Sequence, residues 1–100
     1  MNIVTVKKGK VELRNDNGTV IRTFGRDAVN ANLNANQSLV VVVTEKGKVE
    51  LYKADNGSMI RSFGNGDAVS ATWTGKDIAV QIQSGKTEIR SESGTLIRTI

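Results

Sequence analysis

The chain has 100 residues, 38% of them apolar, and its fourteen Lys and Arg against ten Asp and Glu give a net charge of +4. It contains no Cys and no His, which excludes disulfides, thiolate metal sites and the Ser–His and Cys–His pairs of nucleophilic catalysis. The length predicts a single domain, residues 1–100, and the first residues lack the apolar stretch of a signal peptide. We therefore expect a cytoplasmic, non-enzymatic protein that needs no cofactor or metal and does not enter membranes.

Alternation of apolar and polar residues predicts strands along the whole chain. In Lys10–Arg14, for example, Val11 and Leu13 alternate with charged side chains. No apolar period of 3.6 residues persists long enough for a helix, and Gly and Asn interrupt every segment. The predicted strands are, in chain order, 2–6, 10–14, 19–24, 29–33, 39–43, 48–52, 58–63, 69–73, 78–82, 86–90 and 95–100.

These strands fall into an internal repeat. Gly9, Gly47 and Gly85 occupy the same place in three similar segments, two equal steps of 38 residues apart. This period is typical of a propeller blade of four strands. The predicted copies are residues 1–25, which lack a first strand, residues 26–64 and residues 65–100.

Each copy ends in a predicted hairpin whose turn closes with Gly18, Gly57 or Gly94. The turn has three residues in the first and third copies, and the inserted Ala54 lengthens it in the second. Counting the register from that turn places a Glu opposite an Arg in every hairpin. Such pairs contribute about 0.2 to 1 kcal/mol each, which favours a structural role for them. The three predicted pairs are Glu12–Arg22, Glu50–Arg61 and Glu88–Arg98.

The stretch AVSATWTGKDIAVQIQSGKTEIRSESGTLIRTI resembles a WD40-type repeat: a first strand of the form V-x-x-x-aromatic, a Gly turn, a small-apolar second strand, a third strand, a Ser-Gly turn and an outer strand. Residues 27–63 are similar, and Val49–Lys53 stands where that family carries its Trp-Asp dipeptide. The Trp-Asp and Gly-His dipeptides themselves are absent. The resemblance implies an all-β fold of propeller-like, four-stranded blades, about three per chain.

Closed propellers need about four to eight blades, so three blades predict completion of a ring by oligomerisation. We expect a homodimer of six blades, driven by apolar faces that the two end blades would otherwise expose to water. Propeller-like blades also imply an interaction or scaffold module that binds another protein. A small repeat-built chain would suit a phage accessory protein as well.

Two alternative functions remain open. A basic rim could bind nucleic acid through phosphate contacts; its residues are Lys7, Lys8, Lys10, Lys46, Lys48 and Lys86. A lectin with sugar sites between blades would need aromatic platforms, but Trp73 lies on the apolar side of its strand and is predicted to be buried in the core. A polar series along and just after one inner strand predicts amide hydrogen bonds between neighbouring blades or with water, with a ligand channel as the alternative; its residues are Asn30, Asn32, Asn34 and Asn36.

Overall fold

Three antiparallel sheets and no helix make up the computed structural model, which describes residues 1–100. The predicted all-β, propeller-like fold class is confirmed. The strands are β1 (Ile3–Lys7), β2 (Lys10–Arg14), β3 (Val20–Phe24), β4 (Ala28–Leu33), β5 (Leu39–Thr44), β6 (Val49–Lys53), β7 (Met59–Phe63), β8 (Ala68–Thr74), β9 (Asp77–Ile82), β10 (Thr87–Arg90) and β11 (Leu96–Thr99).

The first sheet has the strand order β1-β2-β3, the middle sheet β4-β5-β6-β7, and the third sheet β8-β9-β10-β11. In the middle and third sheets the innermost strands, β4 and β8, begin each copy of the repeat, and the outermost strands, β7 and β11, end it. The first sheet starts one strand later, as the sequence predicts. With no helix in the fold, no helix is long and apolar enough to cross a membrane.

Strand β5 holds the three sheets together because both of its faces are buried. Val40 and Val42 point to the first sheet and belong to one core cluster, with Val11 and Leu13. The intervening residues of β5, Val41 and Val43, point the other way and join a second cluster with the third sheet's Ile78 and Val80. A run of consecutive Val is what a strand needs when sheets cover it on both sides.

Backbone hydrogen bonds fix how each sheet joins the next. The amide of Ala28, at the start of β4, donates to the carbonyl of Gly9 in the first sheet (2.9 Å). The amide of Ala68, at the start of β8, donates in the same way to Gly47 of the middle sheet (3.1 Å). Because the same bond recurs, the turns that contain Gly9 and Gly47 lie along one rim of the molecule.

The predicted Glu–Arg register is wrong. Glu12 lies opposite Thr23, and Arg22 lies opposite Leu13. The other two hairpins are shifted in the same way: Glu50 faces Ser62, Leu51 faces Arg61, Glu88 faces Thr99 and Ile89 faces Arg98. The turns themselves close as predicted, with Asn15 bonded to Thr19 in the first hairpin. The error therefore arises within the outer strands.

A β-bulge in each outer strand causes the shift. Arg14 pairs with Val20 but Leu13 pairs with Arg22, so Ile21 is an extra residue without a cross-strand partner. Ile60 and Ile97 hold the same position in the other hairpins. One extra residue moves every later pair by one place, whereas the predicted register assumes regular pairing from the turn onward.

The glutamates bind side chains of their own strand instead. Glu12 forms an ion pair with Arg14 (2.5 Å), and Glu88 forms one with Arg90 (3.0 Å). In the middle sheet the same position holds Tyr52, whose hydroxyl donates to Glu50 (2.7 Å). Burial, together with this carboxylate, raises the pKa of Tyr52 well above its usual value.

The two outward end faces carry fewer apolar side chains than the internal faces. The middle sheet places Val41, Val43, Val49 and Leu51 against its neighbour, all at most 1% exposed. At the corresponding positions of its outward face, the third sheet has Ala79, Gln81, Thr87 and Ile89. The outward face of the first sheet likewise carries Thr5, Glu12 and Arg14, with Ile3 as its large apolar residue. At these positions the two end faces are therefore more polar than the internal face of the middle sheet.

Gly47 and Gly85 offer a test of the packing between sheets, because they occupy the same turn position with φ of 80° and 93°. A Cβ at Gly47 would collide with the carbonyl oxygen of Gly66, whereas a Cβ at Gly85 would meet nothing within 4 Å. Both Ala variants place a side chain at a positive φ, which costs backbone strain, but only Gly47→Ala must also displace Gly66 in the linker that leads to β8. We expect Gly47→Ala to lose about 1 to 3 kcal/mol more unfolding free energy than Gly85→Ala in urea denaturation. Equal losses would contradict the close approach of the two sheets.

Candidate binding groove and basic rim

A groove runs along the inner side of the first sheet, beside β1. In the other two sheets this place is occupied by β4 and β8, but β1 is an edge strand. The groove encloses about 330 Å³ between β1 and the facing side of β4. Its apolar wall is formed by Ile3 and Val4 on one side and Ala31 and Leu33 on the other.

Polar backbone groups of β1 face this groove. Lys7 and Lys10 flank the two-residue turn between β1 and β2 and so form a hydrogen-bonded pair. Hydrogen-bonded and non-hydrogen-bonded pairs alternate from there along the two strands, so Val4 and Val6 belong to non-hydrogen-bonded pairs. Their N–H and C=O groups therefore point away from β2. Their counterparts in β5, Val41 and Val43, pair with Asn32 and Asn30 of β4. In the first sheet no strand takes that place.

Asn30 and Asn32 connect the inner strands of neighbouring sheets. The amide of Ala71 in β8 donates to Asn30 Oδ1 (3.0 Å), and Asn32 Nδ2 donates to the Ala71 carbonyl (2.7 Å). Two carboxamides thus satisfy both polar groups of one peptide residue. The predicted amide bonding between blades is confirmed for these two residues.

Asn34 has a local role instead. Its Oδ1 accepts hydrogen bonds from the amides of Ser38 (2.9 Å) and Leu39 (3.0 Å), and so shapes the turn between β4 and β5. Gln37, in the same turn, accepts a hydrogen bond from the amide of Asn2 through its side-chain oxygen (2.9 Å). This contact closes one end of the groove.

Trp73 is only half-buried, so the prediction of a buried side chain is correct in part. The ring packs against the core cluster between the middle and third sheets. Its indole N–H donates to the carbonyl of Asn32 (3.0 Å). These contacts give the ring a structural use between blades.

The six predicted rim lysines lie in or directly beside the turns β1–β2, β5–β6 and β9–β10, and they divide into two groups. Lys10 Nζ donates to the carbonyl of Gly25 (3.0 Å), and Lys48 Nζ donates to that of Gly64 (3.3 Å). These two brace the linkers between sheets. The remaining four are exposed, and their side chains form no hydrogen bond or ion pair within the chain: Lys7, Lys8, Lys46 and Lys86.

Acidic side chains are interleaved with the lysines along this rim. A polar pocket of about 170 Å³ contains Arg26, Lys46 and Lys48 together with Asp27 and Glu50. The rim is therefore of mixed charge with a basic excess. The groove at β1 is the feature that sequence reasoning missed, although the absence of a first strand in residues 1–25 was its signal.

Three antiparallel sheets joined side by side through their inner strands define a propeller-like protein. The family model described as the Helicobacter pylori IceA2 protein matches residues 1–57. This covers more than half of the 100 residues, and the chain belongs to that family. No curated protein matches the sequence.

A solved structure described as "Crystal Structure of Mitotic Checkpoint Complex" contains a chain with the same fold, at a TM-score of 0.82 and 16% sequence identity. The match covers 97% of this chain and 32% of that one, so the present chain spans about a third of its length. At this identity the likeness shows the fold alone. The WD40 resemblance is therefore confirmed as a propeller-like architecture and no further.

Asn32 and Thr72 provide a matched test of the inter-sheet carboxamides, because they hold the same position in β4 and β8. Asn32→Ala leaves the Ala71 carbonyl without its partner and should lower the unfolding free energy by about 1 to 3 kcal/mol. Thr72 is exposed and forms no side-chain hydrogen bond, so Thr72→Ala should change it by at most about 0.5 kcal/mol. Urea denaturation measures both, and an equal effect would remove the special role of Asn32.

Proposed function

We propose that this chain is a non-enzymatic interaction module that binds a protein partner at the groove beside β1. The observation that carries the proposal is the first sheet's three strands where its neighbours have four. This difference leaves an apolar cleft and unpaired backbone groups in one place. Concave, partly apolar surfaces with a few convergent polar groups are the usual form of a binding site.

The fold supports this proposal in a general way. The solved chain that shares it belongs to a structure described as a complex, and propeller-like scaffolds suit partner binding because rigid sheets hold the exposed loops and edges in place. The identity of the partner does not follow from that likeness. The proposal for this chain rests on its own groove.

Self-association is a further part of the proposal, since two copies would supply six blade-like sheets. Because the end faces are more polar than expected, burial of apolar surface would contribute less to such an assembly than the sequence predicts. Thr5, Glu12 and Arg14 on one end would have to meet Gln81 and Thr87 on the other, so hydrogen bonds and charge would contribute more than apolar burial. Polar interfaces of this kind are typical of weak or transient association.

A second candidate function is nucleic-acid binding at the basic rim. Four exposed lysines without partners in the chain favour it, because each lysine that contacts a phosphate releases bound counterions. The interleaved Asp27 and Glu50 oppose it by repelling phosphate. We therefore place it second.

A capture experiment separates the two functions. The immobilised wild-type chain would be compared with Val6→Pro, which removes one free N–H at the groove, and with Lys46→Glu on the rim. Lys76→Glu makes the same charge change in an exposed turn outside the rim and serves as the control. Binding of random duplex DNA would be measured between 50 and roughly 200 mM salt with the same proteins.

We expect Val6→Pro to reduce partner capture about tenfold or more, while Lys46→Glu matches Lys76→Glu. The opposite pattern would overturn the groove proposal. In that case Lys46→Glu alone would abolish binding, and duplex DNA affinity would fall steeply with salt. The rim function would then take its place.

A further inference from the structure

We infer that the groove is a strand-acceptor site, and that its ligand is an extended peptide segment with two Asn side chains two residues apart. This inference rests on the proposed function and names the chemistry of the partner. The bound segment would lie antiparallel to β1 as a fourth strand of the first sheet. The middle sheet provides the template, because β4 holds the same position there.

The backbone of β1 supplies half of the site. Val41 and Val43 of β5 show how the inner strand binds, by pairing with Asn32 and Asn30. Val4 and Val6 hold the corresponding positions in β1 and direct their backbone groups to the open edge of the sheet, where Val4 also lines the groove. An edge strand with free backbone groups beside an apolar cleft is the usual acceptor for an added strand.

The side of β4 that faces the groove supplies the other half, and it specifies carboxamides. In β8 the N–H of Ala71 donates to Asn30 and its C=O accepts from Asn32, both of the preceding inner strand. Ala31 holds the position of Ala71 in β4, since it lies opposite Val42 as Ala71 lies opposite Val80. Ala71 is 2% exposed, whereas Ala31 is only partly buried. Ala71 is the more buried of the two because the Asn-x-Asn strand β4 covers it, whereas no such strand covers Ala31.

The source of the strand is a partner protein. The chain's own strand with this pattern, β4, is hydrogen-bonded within the middle sheet and packed against β8. The equivalent residues of β8 are Ser70 and Thr72, and β8 is paired with β9. Neither strand can fill the groove of a second copy without leaving its own sheet.

The test uses a synthetic peptide with the sequence of residues 26–33, whose two Asn are Asn30 and Asn32, as the probe. In the control peptide both Asn are replaced by Leu, which has nearly the same shape but cannot bridge a peptide group. Titration of the isotope-labelled full chain by NMR reports the site through the amides of Val4, Val6 and Ala31. The protein variants are Val6→Pro and Ala31→Glu; the second fills the groove without removing a backbone donor.

We expect the peptide to shift these three amide signals. The control peptide should bind the wild-type chain at least about tenfold more weakly, and both variants should bind the probe peptide at least about tenfold more weakly. Circular dichroism spectra of each variant serve as the control for folding. No shift at about 2 mM peptide would overturn the inference. Equal binding of the control peptide would also overturn it, because the groove would then take apolar segments without regard to carboxamides.

Two further outcomes separate this inference from the proposed function. If the peptide fails but partner capture still depends on Val6, the groove binds a partner of other chemistry and the strand assignment falls alone. If Val4 and Val6 shift with protein concentration in the absence of peptide, a second copy occupies the edge. That result would overturn the assignment to a partner's strand.

Discussion

Burial of both faces of β5 is the constraint on which the rest of the structure depends. Val40, Val41, Val42 and Val43 are all fully buried, and each contributes about 1.5 to 3 kcal/mol relative to an exposed side chain. Their sum is comparable with the whole net stability of a small domain, about 5 to 15 kcal/mol. The first and third sheets are therefore stable to the extent that they cover this strand. The hydrogen bonds from Ala28 to Gly9 and from Ala68 to Gly47 fix the orientation of each sheet relative to the next.

The same constraint explains which parts of the fold were predictable from the sequence. Alternation in Lys10–Arg14 reflects burial of one face of a strand, and the continuous apolar run in β5 reflects burial of both faces. The positions of the strands and their assignment to sheets could therefore be predicted from the sequence. The register of the outer strands could not. A bulge at Ile21, Ile60 and Ile97 depends on how the outer strand twists over its neighbour, and the alternation pattern carries no mark of one extra residue.

The candidate site was predicted less well, for a different reason. A polar series on an inner strand must be satisfied by neighbouring blades or by water, and two of its four residues, Asn30 and Asn32, bond between blades. Asn34 has the same sequence spacing but lies at the turn, where its oxygen is within reach of the Ser38 and Leu39 amides. For the lysines, the carbonyls bound by Lys10 and Lys48 come from linkers 15 and 16 residues away. Contacts of that kind depend on tertiary placement, which spacing does not reveal.

The missing fourth strand of the first sheet connects the fold to the proposed function. The inner strands β4 and β8 pair with the edges of β5 and β9, and β4 also binds the neighbouring inner strand through two carboxamides. Where an inner strand is absent, the structure leaves Val4, Val6 and Ala31 without these partners. The proposed binding site thus lies where the repeat is interrupted, while the repeated positions themselves serve packing.

Amide hydrogen exchange of the free chain, measured by NMR, tests this account most directly. Thr5 and Lys7 should be protected through their pairing with β2, while Val4 and Val6 should exchange at close to unfolded rates. Val41 and Val43, buried and paired on the equivalent strand, should exchange only with global unfolding. Protection of Val4 and Val6 within about tenfold of that of Val41 and Val43 would contradict the account, because the edge of β1 would then already be covered.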